Sequence, residues 1–157
     1  MKPGTFTQLY VHLVFAVKFR DKILTKTIRK DVFKYMSGIL SNLKHKSIII
    51  NGVSDHVHIL FGLNPSVSIS DTVHSLKRSS SLYINNENLC KGKFAWQEGY
   101  GAFTCNRKQL ENTYKYIENQ ESHHSIKPFK KEYIEFLEEN DIQYDKQFLF
   151  DFFDQKA

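Results

Sequence analysis

Two histidines on one strand and a tyrosine–glutamine pair on one helix are the residues whose types and spacing admit metal-assisted chemistry. In Asp55-His56-Val57-His58-Ile59-Leu60-Phe61-Gly62, apolar, aromatic and imidazole residues run between Asp and Gly, which predicts a β-strand. Side chains alternate faces along a strand, so His56 and His58 share one face. Val57, Ile59 and Phe61 share the other and suit a packed core. The two histidine Cα atoms then lie roughly 6–7 Å apart, and both rings can converge on one small ion. Imidazole suits Zn, Cu, Fe and Ni, whereas oxygen donors suit Mg and Mn. A mixed site therefore needs an oxygen ligand from elsewhere. Taken alone, His-x-His is more often two ordinary strand histidines.

The stretch from Asn106 to Gln120 reads as a helix. Leu110, Tyr114 and Ile117, at i, i+4 and i+7, form its expected buried stripe. Tyr116 stands roughly 200° around the axis from Tyr114 and is expected to face away from that stripe. Gln120, at i+4, shares the face of Tyr116 about 6 Å along the axis. Tyr114 is thus expected to be structural and Tyr116 to be available for chemistry. Gln120 offers the amide oxygen that the histidine pair lacks. On an isolated helix the same two residues would read as solvated. Glu118 falls on another face, and no residue is assigned as general base.

The elements that must position these side chains follow along the chain. Residues 6–19 alternate, with Leu9, Val11, Leu13, Phe15, Val17 and Phe19 on one face and Tyr10, His12, Val14 and Ala16 on the other. Lys18, Arg20, Asp21 and Lys22 mark the exit of this strand. Thr25 to Leu43 has helical period, its stripe being Ile28, Val32, Tyr35, Met36, Ile39, Leu40 and Leu43, with Thr25 or Thr27 as cap. Ser47 to Ser54 reads as a second strand that bends at Asn51-Gly52 and forms a hairpin with the His-Val-His strand. Ser68-Ile69-Ser70-Asp71 resembles a capping box and opens a second helix whose buried side is Ile69, Val73, Leu76 and Tyr83. Lys77 and Arg78 lie off that side, beside Ser79, Ser80 and Ser81. Cations next to small hydroxyls suit phosphate contacts, and a solvated helix face is the equal alternative. Phe94 to Cys105 reads as a strand in which Gly99 and Gly101 signal a bulge or a close backbone approach. Phe129 to Glu139 is a further helix with Tyr133, Phe136 and Leu137 as its apolar side. The tail from Phe148 to Phe153 is apolar enough to dock on the body.

The order β-α-β-β-α-β followed by helices predicts an α+β fold of ferredoxin-like type with additional C-terminal helices. Its first and third strands are central neighbours. His12 then lies on the strand beside the histidine pair, where the ordinary reading is a sheet-face histidine and the sharper one a neighbour of a metal site.

Composition agrees with a globular chain. Its 157 residues, 41% hydrophobic and 25% charged, suit a single domain with a substantial core. The net charge of +5 favours an anionic partner, nucleic acid first among them. Cys90 and Cys105 form no C-x-x-C pair, which suggests a reducing compartment and no metal role. The apolar run from Leu9 to Val17 is too short to span a membrane and no cleavable signal follows it, so a cytoplasmic location without membrane contact is expected.

Taken together, His56-Val57-His58 and Tyr116-Ile117-Glu118-Asn119-Gln120 resemble the single-tyrosine HUH transposases of the smallest bacterial insertion sequences. The likeness extends to Tyr10-Val11-His12-Leu13-Val14-Phe15, Leu76-Lys77-Arg78-Ser79-Ser80-Ser81, Trp96-Gln97-Glu98-Gly99-Tyr100-Gly101-Ala102-Phe103 and Gln120-Glu121-Ser122-His123-His124. It covers nearly the whole chain, and Cys105-Asn106 is a minor departure. Relatives that act on repetitive extragenic palindromes share much of it. The resemblance implies one HUH domain over residues 1–157, with its tyrosine helix at about 106–121. It implies cleavage and rejoining of single-stranded DNA at element ends. Tyr116 would be the nucleophile, giving a 5′-phosphotyrosine and a free 3′-hydroxyl. His56, His58 and Gln120 would hold a divalent ion, Mg or Mn. It further implies a homodimer that recognises imperfect DNA hairpins and in which one subunit's tyrosine helix can complete the other's histidine pair. Lys77 and Arg78 are the candidate DNA phosphate contacts. His123 and His124 read as helix-end residues, with DNA contact as the lesser reading.

Other readings stand beside this one. A domesticated relative would process chromosomal palindromes with the same chemistry. A non-catalytic single-stranded nucleic-acid-binding module shares the sheet topology, but this sequence lacks the Gly-Phe-Gly-Phe-type strand such modules use and carries a metal set they do not need. Replication initiators and relaxases often carry a third histidine or a second tyrosine, a role for which Tyr114 is unsuited if it points into the core.

Overall fold

The computed structural model describes residues 2–18, 24–124 and 127–151, the side chains of His123 and His124 excepted. Phe19, the exit residues Arg20, Asp21 and Lys22, and Phe152 and Phe153 of the tail lie outside the described residues, as do the side chains of His123 and His124. Along the chain run β1 (Tyr10–Ala16), α1 (Lys26–Asn42), β2 (Lys46–Gly52), β3 (His56–Gly62), α2 (Ile69–Asn86), β4 (Gly101–Cys105), α3 (Leu110–Glu118), α4 (Gln120–His124) and α5 (Phe129–Glu139). The strands form one antiparallel sheet in the order β2-β3-β1-β4. This is the expected ferredoxin-like arrangement, with β1 and β3 adjacent at the centre.

One face of the sheet carries Val11, Leu13, Phe15, Val57, Ile59 and Phe61. It packs on Ile28, Val32, Met36 and Leu40 of α1 and on Val73, Leu76 and Ile84 of α2. Leu13, Phe15, Ile59 and Phe61 are wholly buried, each contributing about 2 kcal/mol of hydrophobic stabilisation. The other face carries His12, His56, His58 and Leu60 and lies beneath α3 and α5. Because helices cover both faces, the central strands are buried throughout, and the histidines sit inside the protein rather than on an open sheet.

Several elements differ from expectation. The first strand is shorter than residues 6–19, and the fourth contains only the end of 94–105. Trp96 makes an isolated bridge to Val17, and the backbone then turns at Gly99, whose φ is +86°. A Cβ on Gly101 would come within 2.8 Å of the Tyr133 hydroxyl, so the glycine lets α5 close onto the sheet. Tyr35 is on the exposed side of α1 and stacks on Tyr83 with ring centroids 4.2 Å apart. Ser68 caps α2, its Oγ accepting from the Asp71 N–H at 3.0 Å. Of the tail, Phe150 is buried and Phe148 is exposed.

A register shift between Ser47 and Ile49 matters for the site. Ser47 pairs with Phe61 but Ile49 pairs with Leu60, so an extra residue is accommodated at the bulge. Beyond it Asn51 lies opposite His58, on the histidine face.

Candidate active site

Each histidine of β3 is oriented by a partner on the nitrogen that faces away from the common point. His56 Nδ1 lies 2.7 Å from Asp55 Oδ1. His58 Nδ1 lies 2.8 Å from Nε2 of His12 on β1. The sharper reading of His12 is thus the one the geometry fits: it stands against His58. Burial first, and the neighbouring His58 next, push His12 down to about 3, so its ring is neutral. A neutral imidazole has one N–H and one lone pair. Nδ1 of His56 and Nδ1 of His58 are thus engaged behind the rings, and both Nε2 atoms turn toward the helices.

The helical half of the site differs from its expected form. The helix begins at Leu110 rather than Asn106 and breaks at Asn119, so Gln120 starts a separate short helix, α4. The two tyrosines also exchange their expected environments. Tyr114 is 38% exposed, whereas Tyr116 is half-buried with its ring 5.9 Å from that of His58 and 5.5 Å from that of Phe136. The inward residues are Leu110, Thr113, Tyr116, Ile117 and Gln120, a stripe that steps first by three. The Cys105 thiol on β4 lies 3.5 Å from Thr113 Oγ1, on this inward side of the helix. Asn51 Nδ2 donates to the carbonyls of Ile117 at 2.9 Å and Glu118 at 3.1 Å, satisfying the end of α3 just past Tyr116. Gln120 is fully buried, with Oε1 3.3 Å from His56 Nε2.

Sequence reasoning missed Glu132. It lies on α5 between Phe129 and Tyr133 and is only 3% exposed. Phe129 stacks on the His56 ring at 3.7 Å, and Phe136 meets the rings of His12 and His58. The helix so anchored brings Glu132 Oε1 to 2.7 Å from His58 Nε2 and 4.0 Å from His56 Nε2. The available signal was a carboxylate within the stripe of Phe129, Tyr133 and Phe136. Burial, followed by the negative charge of Glu132 and a hydrogen bond to its carboxylate, holds the Tyr116 phenol well above its ordinary range; a hydrogen bond with Gln120 works the other way. Tyr116 is protonated at neutral pH.

The ligand atoms of His56, His58 and Glu132 all lie within 4.8 Å of one another, and Gln120 Oε1 adjoins them. Imidazole nitrogen with amide and carboxylate oxygen is a donor set that fits a divalent cation. A cavity of about 550 Å³ opens beside it, bordered by His12, Asn112, Tyr116, Lys127 and Glu132.

The predicted phosphate contacts lie elsewhere. Lys77 Nζ donates to the carbonyls of Gln97 at 2.7 Å and Gly99 at 2.6 Å and stands 5.3 Å from the centre of the Phe15 ring. Arg78 is exposed. Ser80 is buried and accepts from Trp96 Nε1 at 2.9 Å, so this hydroxyl serves the core. No described helix is long and apolar enough to cross a membrane.

Comparison with known proteins agrees with this architecture. Residues 5–120 match the sequence model of the family described as "Transposase IS200 like". The ISDra2 transposase TnpA of Deinococcus radiodurans is 27% identical over 122 residues, covering 74% of this chain and 87% of that protein. A candidate transposase of Deinococcus radiodurans R1, known from a crystal structure at 1.90 Å, superposes with a TM-score of 0.61 at 25% identity, over 76% of this chain and 96% of that one. A REP-associated tyrosine transposase, solved bound to a REP hairpin, superposes with a TM-score of 0.55 at 11% identity, over 79% of this chain and 74% of that one, a likeness of fold.

Proposed function

The chain belongs to the IS200-like transposase family, and from that premise we propose that it cleaves and rejoins single-stranded DNA at the ends of an insertion sequence through Tyr116. The observation that carries this reading is the Tyr116 ring beside His58, with the donors of His56, His58 and Gln120 converging next to it. His56, His58 and Gln120 would hold Mg or Mn. A bound divalent ion supplies Lewis-acid relief of charge on the scissile phosphate. Tyr116 Oη forms the new bond to phosphorus as the bond to the 3′ oxygen breaks. The products are a 5′-phosphotyrosine and a strand ending in a 3′-hydroxyl. Attack by a 3′-hydroxyl on that phosphotyrosine reverses the step, so the bond energy is retained and rejoining needs no ATP.

Residues 1–157 act in this proposal as one HUH domain, in a homodimer that binds hairpin-forming DNA. The net charge of +5 suits such a partner. Exposed Arg78 is the better phosphate contact. Lys77 sits beside it and holds the turn at Gly99. A domesticated member acting on chromosomal palindromes would use the same residues.

The test is incubation of the full chain with single-stranded DNA from the flanks of its own gene, with Mg²⁺ or Mn²⁺. The expected result is a protein–DNA adduct that survives a denaturing gel and requires the metal. DNA binding without any adduct would overturn the enzymatic reading and leave a binding module. Light scattering with and without the hairpin DNA tests the dimer.

A further inference from the structure

The family match ends at residue 120, yet the site extends past it. Helix α5 begins at Phe129 and sets its first turns directly against the histidine pair. Three features of Glu132 distinguish it from a carboxylate that merely neutralises a buried histidine. Its Oε1 lies 2.7 Å from His58 Nε2 and 4.0 Å from His56 Nε2, so it faces both rings. Each ring is already engaged through Nδ1, by Asp55 or by His12, which directs the Nε2 atoms at it. Finally, Gln120 Oε1 approaches the same His56 Nε2 from α4, at 3.3 Å.

We propose that Glu132 is a metal ligand, so that this chain holds its divalent cation with two imidazoles, an amide and a carboxylate contributed by a helix outside the family's matched region. The inference rests on the metal site put forward above. Its consequence is electrostatic. Neutral histidines and an amide leave the full double charge on the ion, whereas one carboxylate halves the net charge of the site and strengthens its hold on hard cations such as Mn²⁺ and Mg²⁺. A cation held by these donors would be retained before DNA arrives and would remain able to meet a phosphate oxygen, and α5 would be part of the metal centre rather than an appended helix.

The experiment is Mn²⁺ titration of the full chain without DNA, read by the electron paramagnetic resonance of free Mn²⁺ and by the Mn²⁺-induced rise in melting temperature. Wild type, Glu132→Gln, Glu132→Asp and His56→Ala are compared. Glu132→Gln keeps the shape and removes the charge; its affinity should fall by at least the roughly tenfold that loss of an outer-shell partner costs. Glu132→Asp should lie between it and wild type, and it serves as the test where the Gln variant does not fold. His56→Ala should lose nearly all binding. Wild-type affinity in both Glu132 variants, with loss in His56→Ala, would overturn the Glu132 assignment alone. No binding by wild type, or equal binding by wild type and His56→Ala, would remove the metal site itself and the assignment with it.

Discussion

Asp55 Oδ1 lies 2.7 Å from Nδ1 of His56, the residue next to it in the chain. Both side chains are nearly enclosed, so the contact fixes the ring with Nε2 turned toward Gln120 and Glu132. Outer partners of this kind orient metal-binding histidines and raise their basicity. Asp55→Asn should therefore weaken Mn²⁺ binding by roughly 10- to 100-fold while the sheet stays folded. Isothermal titration with Mn²⁺ and a far-UV circular dichroism spectrum check both halves. Unchanged affinity would mean that the pair is purely structural.

Tyr116→Phe removes the hydroxyl and keeps the ring that packs on Phe136. Adduct formation should vanish, and binding of hairpin DNA measured by fluorescence anisotropy should stay within about twofold, a difference of about 0.4 kcal/mol. Tyr114→Phe should leave cleavage nearly unchanged, because Tyr114 is exposed on the far side of α3. Loss of the adduct in both variants, or in neither, would contradict the assignment of Tyr116.

How much of this was legible in the sequence depended on where the determining contacts lie. The strand order and the pairing of His56 with His58 follow from local alternation and element order, and both were readable. The rotation of α3 was not, because it depends on contacts between elements, among them Cys105 with Thr113, Ile117 with Leu60 and Asn51 with the helix end. A stripe through Leu110, Tyr114 and Ile117 fits helical spacing as well as one through Leu110, Thr113 and Ile117, and tertiary contacts choose between them. Glu132 was hidden for a similar reason. A glutamate in an amphipathic helix normally faces water, and only the docking of Phe129 on His56 reveals that this one does not. Topology alone sets His12 beside the pair, whereas its contact with His58 depends on how the two rings turn between β1 and β3.

Asn51 joins the sheet to the tyrosine helix. Its side-chain amide donates to two carbonyls at the end of α3, and the bulge in β2 is what brings it to that face. Asn51→Ala should cost about 1–2 kcal/mol of stability, near the worth of two modest hydrogen bonds. Because the freed segment runs from Tyr116 to Gln120, the adduct rate should fall more than the affinity for Mn²⁺. Urea unfolding and single-turnover cleavage measure the two effects. A destabilised variant with the wild-type adduct rate would show that Asn51 supports the fold without positioning the tyrosine.

His45 predicts an acid sensitivity separate from the active site. The Asn64 N–H donates to its Nδ1 at 2.8 Å, so that nitrogen must be unprotonated. Its Nε2 lies 2.8 Å from Thr72 Oγ1, whose hydroxyl donates onward to the Ser68 carbonyl at 2.8 Å. The imidazole is therefore the neutral Nε2–H form. Protonation would turn an N–H against the Asn64 N–H inside the protein. Burial accordingly lowers the pKa of His45 from 6.5. Below 6.5 the unfolded chain takes up this proton before the folded one does, so the stability contributed by His45 is complete above 6.5 and is lost as pH falls toward the depressed folded value. His45→Gln does not titrate. The unfolding free energy of wild type minus that of His45→Gln should therefore decrease between about pH 7.5 and about pH 5. Urea denaturation at each pH measures it. A difference that stays constant, or grows, as the solution is acidified would mean that His45 is charged in the folded protein and that the Asn64 hydrogen bond does not govern its state.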